Sequence, residues 1–414
     1  MTAFTYQQKQ LHCESVSLAD IAAQVGTPVY VYSQDTLRQR ALAYVTAVPP
    51  ERSLVCYAVK ANGNPALLQV LGAAGLGADV TSGGELFLAR HAGIAPEKII
   101  YSGVGKTRPE IETAVRAHIR ALHVESEMEL RTIESVAREV DTPVAIGVRV
   151  NPDINVVTHP YISTGQHSHK FGVPLPIALR LLRLAADSPY LRPVGLATHI
   201  GSQITDVAPF GEAARFLVAA AQQLAESGIH LDYLDVGGGL GIDYEQDNAP
   251  AIADWATAVT EPILQAGYDV VLEPGRSIVG PVGALLTQVV YTKNQGEKHF
   301  TIVDAGMNDL IRPTLYSAYH PIEPVKQAAP NSDQPTTNVV GPICETGDFL
   351  AKERPLPALE PGDLLAVLQT GAYGFAMSSN YNGRIRAAEV LVDGTQFRVI
   401  RRRQGYEHLL DGCA

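Results

Sequence analysis

Leu54-Val55-Cys56-Tyr57-Ala58-Val59-Lys60-Ala61-Asn62-Gly63-Asn64-Pro65 is the stretch on which the fold turns. An unbroken apolar run ends at a lysine, and turn formers follow at once. A run bounded in this way by Asn, Gly and Pro predicts a strand buried on both faces, as in a parallel sheet. Its last residue then presents an amine at the mouth of the sheet. A desolvated amine has a lowered pKa and can form a Schiff base with an aldehyde cofactor. A strand-end lysine reaching into water is the plainer alternative, and Lys60 alone does not separate the two.

Outward from Lys60 the same rhythm repeats. Apolar or β-branched runs occur at Leu54–Val59, Leu76–Thr81, Lys98–Tyr101, Ala121–Val124, Val144–Val150, Val194–His199, Tyr233–Val236 and Val270–Glu273. Between them, stretches such as Glu127–Glu139 and Phe210–Ser227 carry apolar residues at helical spacing, and Gly228 sits where a C-cap belongs. Eight successive βα units predict a closed (β/α)8 barrel of the TIM type rather than an open doubly wound sheet. The insertion Asn151–Pro176 breaks the rhythm, and a loop of that length on a barrel is expected to be functional or mobile. Beyond about residue 281 hairpin signals replace helical ones. Leu285–Lys293 and His299–Val303 flank Asn294-Gln295-Gly296-Glu297, while Glu389–Val392 and Gln396–Arg402 flank Asp393-Gly394. The prediction is an α/β barrel over 31–280 and an antiparallel β domain, a sandwich or small barrel, over 281–414. Residues 1–30 fit no βα unit and are expected to pack on the β domain, with Lys326–Thr337 an exposed loop within it.

Composition narrows the function. With 32 basic and 43 acidic residues the formal charge is −11, which excludes broad binding to nucleic-acid backbones or anionic membranes. No apolar stretch is long enough to span a bilayer, and the first residues lack a basic segment followed by an apolar one, so the cytosol is the expected compartment. Cys13, Cys56, Cys344 and Cys413 have neither metal-ligand spacing nor a dense disulfide pattern, and they read as reduced thiols. His167-Ser168-His169 lacks acidic or cysteine partners at regular spacing, so no metal is expected there.

In a barrel of this type the C-terminal strand ends form the active site. Those ends carry Lys60, Asp79 and Ser82, Ser102, Glu125, Arg149 and Asn151, His199 and Ser202, Gly237-Gly238-Gly239, and Glu273-Pro274-Gly275-Arg276. The glycine run and the Gly275-Arg276 pair offer bare backbone N–H groups and a guanidinium where barrels hold phosphate. His199 supplies a flat ring across the mouth from Lys60, and Glu273 a carboxylate able to pair with a protonated ring nitrogen. An amine, a phosphate cradle, a stacking ring and a pyridinium partner together match pyridoxal 5′-phosphate.

The chain resembles the alanine-racemase-like, fold-type III pyridoxal-phosphate decarboxylases over nearly its whole length. The resemblance rests on Tyr57-Ala58-Val59-Lys60-Ala61-Asn62, Gly77-Ala78-Asp79-Val80-Thr81-Ser82-Gly83-Gly84-Glu85-Leu86, His199-Ile200-Gly201-Ser202-Gln203, Asp235-Val236-Gly237-Gly238-Gly239 and Glu273-Pro274-Gly275-Arg276-Ser277. In the second domain it rests on Asp304-Ala305-Gly306-Met307-Asn308, Arg312-Pro313, Gly341-Pro342-Ile343-Cys344-Glu345 and Gly371-Ala372-Tyr373-Gly374. It implies that Lys60 carries the cofactor as a Schiff base, that His199 stacks on its ring and that Glu273 pairs with its nitrogen. Asp79, Ser202, Gly237, Gly238, Gly239, Gly275, Arg276 and Tyr373 would complete the cofactor site. Cys344 is similar to the family's proton donor, and with Glu345 it would come from a partner subunit, implying a homodimer with shared active sites. Arg276, Arg312, Tyr316, Glu345 and Tyr373 resemble the family's substrate contacts. Two guanidiniums beside a carboxylate suit a distal end bearing both a carboxylate and an ammonium, as in meso-2,6-diaminopimelate, whose decarboxylation gives L-lysine. Ornithine, lysine or arginine is the alternative substrate. A racemase of this type uses arginine in place of Glu273, and a non-catalytic pyridoxal-phosphate protein would resemble the barrel alone.

Overall fold

Eight parallel strands close a barrel: β1 (Ser53–Ala58), β2 (Gly77–Val80), β3 (Ile99–Tyr101), β4 (Ala121–Val124), β5 (Val144–Arg149), β6 (Leu191–Ala197), β7 (Tyr233–Asp235) and β8 (Asp269–Leu272). Each pairs with the next, and β8 returns to β1 through Val271 opposite Leu54. The computed structural model describes residues 3–154, 170–245, 249–329 and 333–414. The barrel unit comprises Arg40–Ile242 and Asn248–Ser277, and a β unit comprises Met1–Gln39, Asp243–Asp247 and Ile278–Ala414.

Local chemistry starts the barrel helices where it should. Asn64 Oδ1 accepts from Ala66 N–H with Pro65 in the first turn of Pro65–Ala73, and Ser82 and Ser126 cap Gly83–His91 and Glu127–Val140 in the same way. Loss of such a cap costs about 1 kcal/mol. Apolar faces then dock on the strands. Trp255, fully buried on Ile252–Gln265, meets Tyr44 and Phe210 edge-on, each at 5.7 Å between ring centroids. Among the described residues no helix is long and apolar enough to cross a membrane.

The β unit departs from the antiparallel expectation, because its nine-stranded sheet is mixed. Val29–Ser33 runs antiparallel to Gly283–Gln295 but parallel to Ala388–Asp393, and Lys298–Val303 runs parallel to Thr336–Val340. The two predicted hairpins are antiparallel because two-residue turns join them, with Gly296 and Gly394 both at φ +61°. Strands brought in from distant sequence carry no such constraint. The boundary expected at residue 31 falls inside the buried strand Val29–Ser33, which belongs to this sheet, so the β unit extends to Gln39. Ahead of it, Phe4–Gln7, Gln10–Cys13 and Val16–Ser17 form a small sheet whose Phe4, Leu11 and Val16 share a core with Val29, Val31, Leu286 and Val390. Thr336 and Thr337, expected in a loop, begin a strand.

Candidate active site

The barrel opens into a cavity of about 350 Å³ lined by Lys60, Thr81, Ser102, Gly103, Val104, Gly105, His123, Arg149, Phe171, Ala197, Thr198, His199 and Glu273. Lys60 lies on a turn of 3-10 helix, Val59–Ala61, two residues past the end of the strand it was expected to close. Its side chain is 38% exposed, and Nζ is held at 2.9 Å by Asp79 Oδ2, a fully buried carboxylate on β2. Burial therefore does not strip this amine of water; an ion pair orients it. Burial, and then Arg149 and Lys60, push the His199 imidazole well below its ordinary pKa, so the ring is neutral at pH 7.

On the floor, Glu273 is 8% exposed and Asp235 fully buried. Ligand atoms of these two carboxyls and of His123 lie within 4.8 Å of one another. Burial, followed by the neighbouring Asp235 and Asp79, raises Glu273 well above the usual carboxylate range. Burial also raises Asp235, to about 7, despite the hydrogen bond it accepts from Gly237 N–H. Two adjacent buried carboxyls hold a proton between them unless a cation is supplied.

The glycine run serves close packing more than open donation. A Cβ on Gly238 would stand 2.1 Å from Glu273 O, and one on Gly239 would stand 2.2 Å from Gly201 O. Two of its three N–H groups are already engaged, Gly237 with Asp235 Oδ1 at 2.8 Å and Gly238 with His199 Nδ1 at 3.3 Å. That corrects the expectation of three bare donors. Beside the run, the buried Arg276 donates from Nη2 to Ser202 Oγ at 3.2 Å, and Gly275 packs on Ala58 and Ala61.

The remaining expected residues belong to the β unit. Buried Arg312 donates from Nη1 to Tyr244 Oη at 2.9 Å and to His320 Nε2 at 2.8 Å. Tyr316 closes the same short helix, Arg312–Tyr316. Cys344 and Glu345 are exposed, with Cys344 N–H donating to Asn382 Oδ1 at 2.7 Å and Tyr381 hydrogen-bonded to the Glu345 carboxylate. Their loop is pinned by the buried Asp348, which accepts from Met307 and Ile343 N–H at 2.7 and 2.6 Å. Tyr373 sits in the left-handed region at φ +56°.

Sequence reasoning missed His123, Asp235, Asp348, Tyr244 and His320, and it assigned Arg149 only to a strand end. Arg149 stacks on Phe171, from the late part of the insertion, at 4.8 Å. Its Nη1 meets Glu125 Oε1 at 3.4 Å. A polar residue inside a barrel strand was the signal for His123. His167-Ser168-His169 lies outside the described residues.

An ion-paired amine, a neutral imidazole, a carboxyl pair short of a cation and a buried guanidinium beside a glycine wall fit pyridoxal phosphate, whose protonated ring nitrogen is the missing cation. A barrel with these groups at its strand ends defines a Schiff-base enzyme of the pyridoxal-phosphate class. Residues 34–280 match the family described as pyridoxal-dependent decarboxylase, pyridoxal binding domain. The chain is 47% identical to the diaminopimelate decarboxylase of Aquifex aeolicus over 98% of this chain and 96% of that protein. It is 48% identical to that of Neisseria meningitidis serogroup A over 96% and 97%. The crystal structure of the Helicobacter pylori diaminopimelate decarboxylase complexed with L-lysine superposes with a TM-score of 0.91 at 42% identity, covering 95% of this chain and 98% of that one. The chain belongs to the pyridoxal-dependent decarboxylase family, and its cofactor is pyridoxal phosphate.

Proposed function

We propose that the chain is a carbon–carbon lyase that removes CO2 from meso-2,6-diaminopimelate and releases L-lysine, the last step of lysine biosynthesis. The carrying observation is the single cavity onto which Lys60, His199 and Glu273 open. The substrate rests on near-full-length likeness to diaminopimelate decarboxylases, one of them complexed with L-lysine.

Lys60 Nζ, kept in place by Asp79, would hold the cofactor's aldehyde carbon, His199 its ring face and Glu273 its ring nitrogen. Ser202, Gly239, Gly275, Arg276 and Tyr373 would hold its phosphate, with Gly237 and Gly238 forming the close-packed wall beside it. When bound, the cofactor would supply an electron sink for the pair left at Cα as CO2 departs. Cys344 Sγ–H then returns a proton to Cα. Arg276, Arg312, Tyr316 and Tyr373 bind the substrate's carboxylates, the guanidiniums in bidentate fashion, and Glu345 takes the distal ammonium. Exposure of Cys344 and Glu345 in the single chain, with the family resemblance, supports a homodimer in which each subunit completes the other's site. A cytoplasmic setting fits four cysteines kept as free thiols.

A substrate panel tests the reading. Purified enzyme with pyridoxal phosphate should release CO2 and lysine from meso-diaminopimelate far faster than it acts on lysine, ornithine or arginine. Comparable kcat/KM on ornithine would overturn the substrate assignment, and Schiff-base absorbance surviving in Lys60→Ala would overturn the lysine's role.

A further inference from the structure

Four neighbouring strands place His123 on β4, Gly147 on β5, Gly195 on β6 and Tyr233 on β7 in one register row. Bulky branched side chains ordinarily fill the interior of such a barrel. Here the two middle positions have no side chain, and the rings on either side extend over them. A Cβ on Gly147 would stand 2.4 Å from His123 Cδ2, and one on Gly195 would stand 2.5 Å from Tyr233 Cε2. Both rings are 1% exposed, and they meet with His123 Nε2 2.8 Å from Tyr233 Oη.

Donor counting gives the contacts a direction. Ser102 Oγ lies 3.4 Å from Glu273 Oε1 and donates to it, which leaves the hydroxyl oxygen to accept from His123 Nδ1–H, also at 3.4 Å. Nε2 is then bare and accepts the Tyr233 O–H. Burial supports this state, since it drives His123 down to about 3 and Tyr233 well above its ordinary value, so both are neutral. Asp235 Oδ2, 3.9 Å from Nδ1, contributes a field rather than a hydrogen bond. Opening two glycine gaps in a barrel core to admit a polar pair gives up apolar packing. Structural need alone would fill the row with aliphatic side chains.

We propose that Tyr233, His123 and Ser102 form a one-way hydrogen-bond chain that ends on Glu273 and fixes that carboxylate as the acceptor for the cofactor's ring nitrogen. It rests on the reading above that Glu273 faces that nitrogen. His123 and Tyr233 are positioning residues, acting on the reaction through Glu273.

The test is nitrogen-15 NMR of the holoenzyme reconstituted with ring-labelled pyridoxal phosphate, alongside kcat and KM. The wild-type resonance should be that of a protonated ring, and Glu273→Gln should move it to the unprotonated position. His123→Leu should move it part of the way and lower kcat about tenfold, the equivalent of one hydrogen bond, with KM little changed. Tyr233→Phe should produce a smaller shift in the same direction. Gly147→Ala should act like His123→Leu because it presses on the ring without altering a polar atom. Should His123→Leu fail to fold, Ser102→Ala and Tyr233→Phe carry the test. A resonance moved by Glu273→Gln but left unchanged by the folded variants of His123, Ser102 and Tyr233 overturns the chain alone. A resonance unmoved by Glu273→Gln overturns the underlying reading of Glu273, and the chain with it.

Discussion

Glu273 and Cys344 both govern a proton in the proposed reaction, yet their surroundings are opposite. Glu273 is 8% exposed on the floor of a cavity, with Asp235 and Ser102 against it. Cys344 is exposed on the β unit, and its backbone rather than its thiol is what Asn382 holds. A group that must stay in one protonation state beside a cofactor gains from low dielectric and fixed neighbours. A group that must give up a proton and regain it needs a route to water between turnovers. The barrel therefore carries a finished electrostatic site, whereas the β unit presents an exposed thiol on a tethered loop.

Glu273→Ala breaks the comparison at its buried end. We expect kcat to fall by about 10³-fold, the scale for losing a preorganised charge partner, with a changed cofactor absorbance. A loss under tenfold would mean that the floor is packing. Cys344→Ala addresses the exposed end. Its kcat should fall about 100-fold, as for a missing general acid, while absorbance and melting temperature stay at wild-type values. A lowered melting temperature would show that the thiol is structural.

The same contrast explains what the sequence made legible. Barrel strands announce themselves as apolar runs closed by turns, and β4 was bounded from Ala121 to Val124 without error. Motif residues at strand ends, among them Lys60, His199 and Glu273, line one cavity. What stayed hidden depends on register between strands far apart in the chain. Gly147 and Gly195 look like weak points of their strands until His123 and Tyr233 are seen lying over them. The domain boundary expected at residue 31 cuts through Val29–Ser33, because nothing local reveals its partners at Gly283–Leu286 and Ala388–Val392. Asp348 carries no local sign of its role, which is to tie Met307 and Ile343 together through its two oxygens.

Removing the cofactor sharpens the buried side further. A carboxyl whose pKa is raised by folding holds a proton that the unfolded chain releases, so stability falls as pH rises from the ordinary value of 3.8 toward the folded value of about 7 at Asp235. Below that window both states are protonated, and the penalty vanishes. The cofactor-free enzyme should therefore lose several degrees of melting temperature between about pH 5 and about pH 8. Asp309, buried in the β unit and also raised to about 7, contributes with the same sign. The informative quantity is thus the difference between wild type and Asp235→Asn, which should flatten the slope. Saturating pyridoxal phosphate should flatten it as well, because the ring cation stabilises the ionised pair. Identical slopes in wild type and Asp235→Asn would show that the floor does not hold the extra proton.

The smallest effect belongs to the exposed side. Tyr381, 45% exposed, is hydrogen-bonded to the Glu345 carboxylate, which raises the phenol's pKa. Removing that hydroxyl in Tyr381→Phe leaves Glu345 to water and to the substrate's ammonium. At an exposed site one hydrogen bond contributes on the order of 1 kcal/mol or less. KM for meso-diaminopimelate should therefore rise only about threefold, with kcat and cofactor absorbance unchanged. A fall in kcat without a change in KM would instead tie Tyr381 to the proton transfer at neighbouring Cys344. The tyrosine would then orient the thiol, and the exposed strip would hold more preorganisation than its solvent exposure implies.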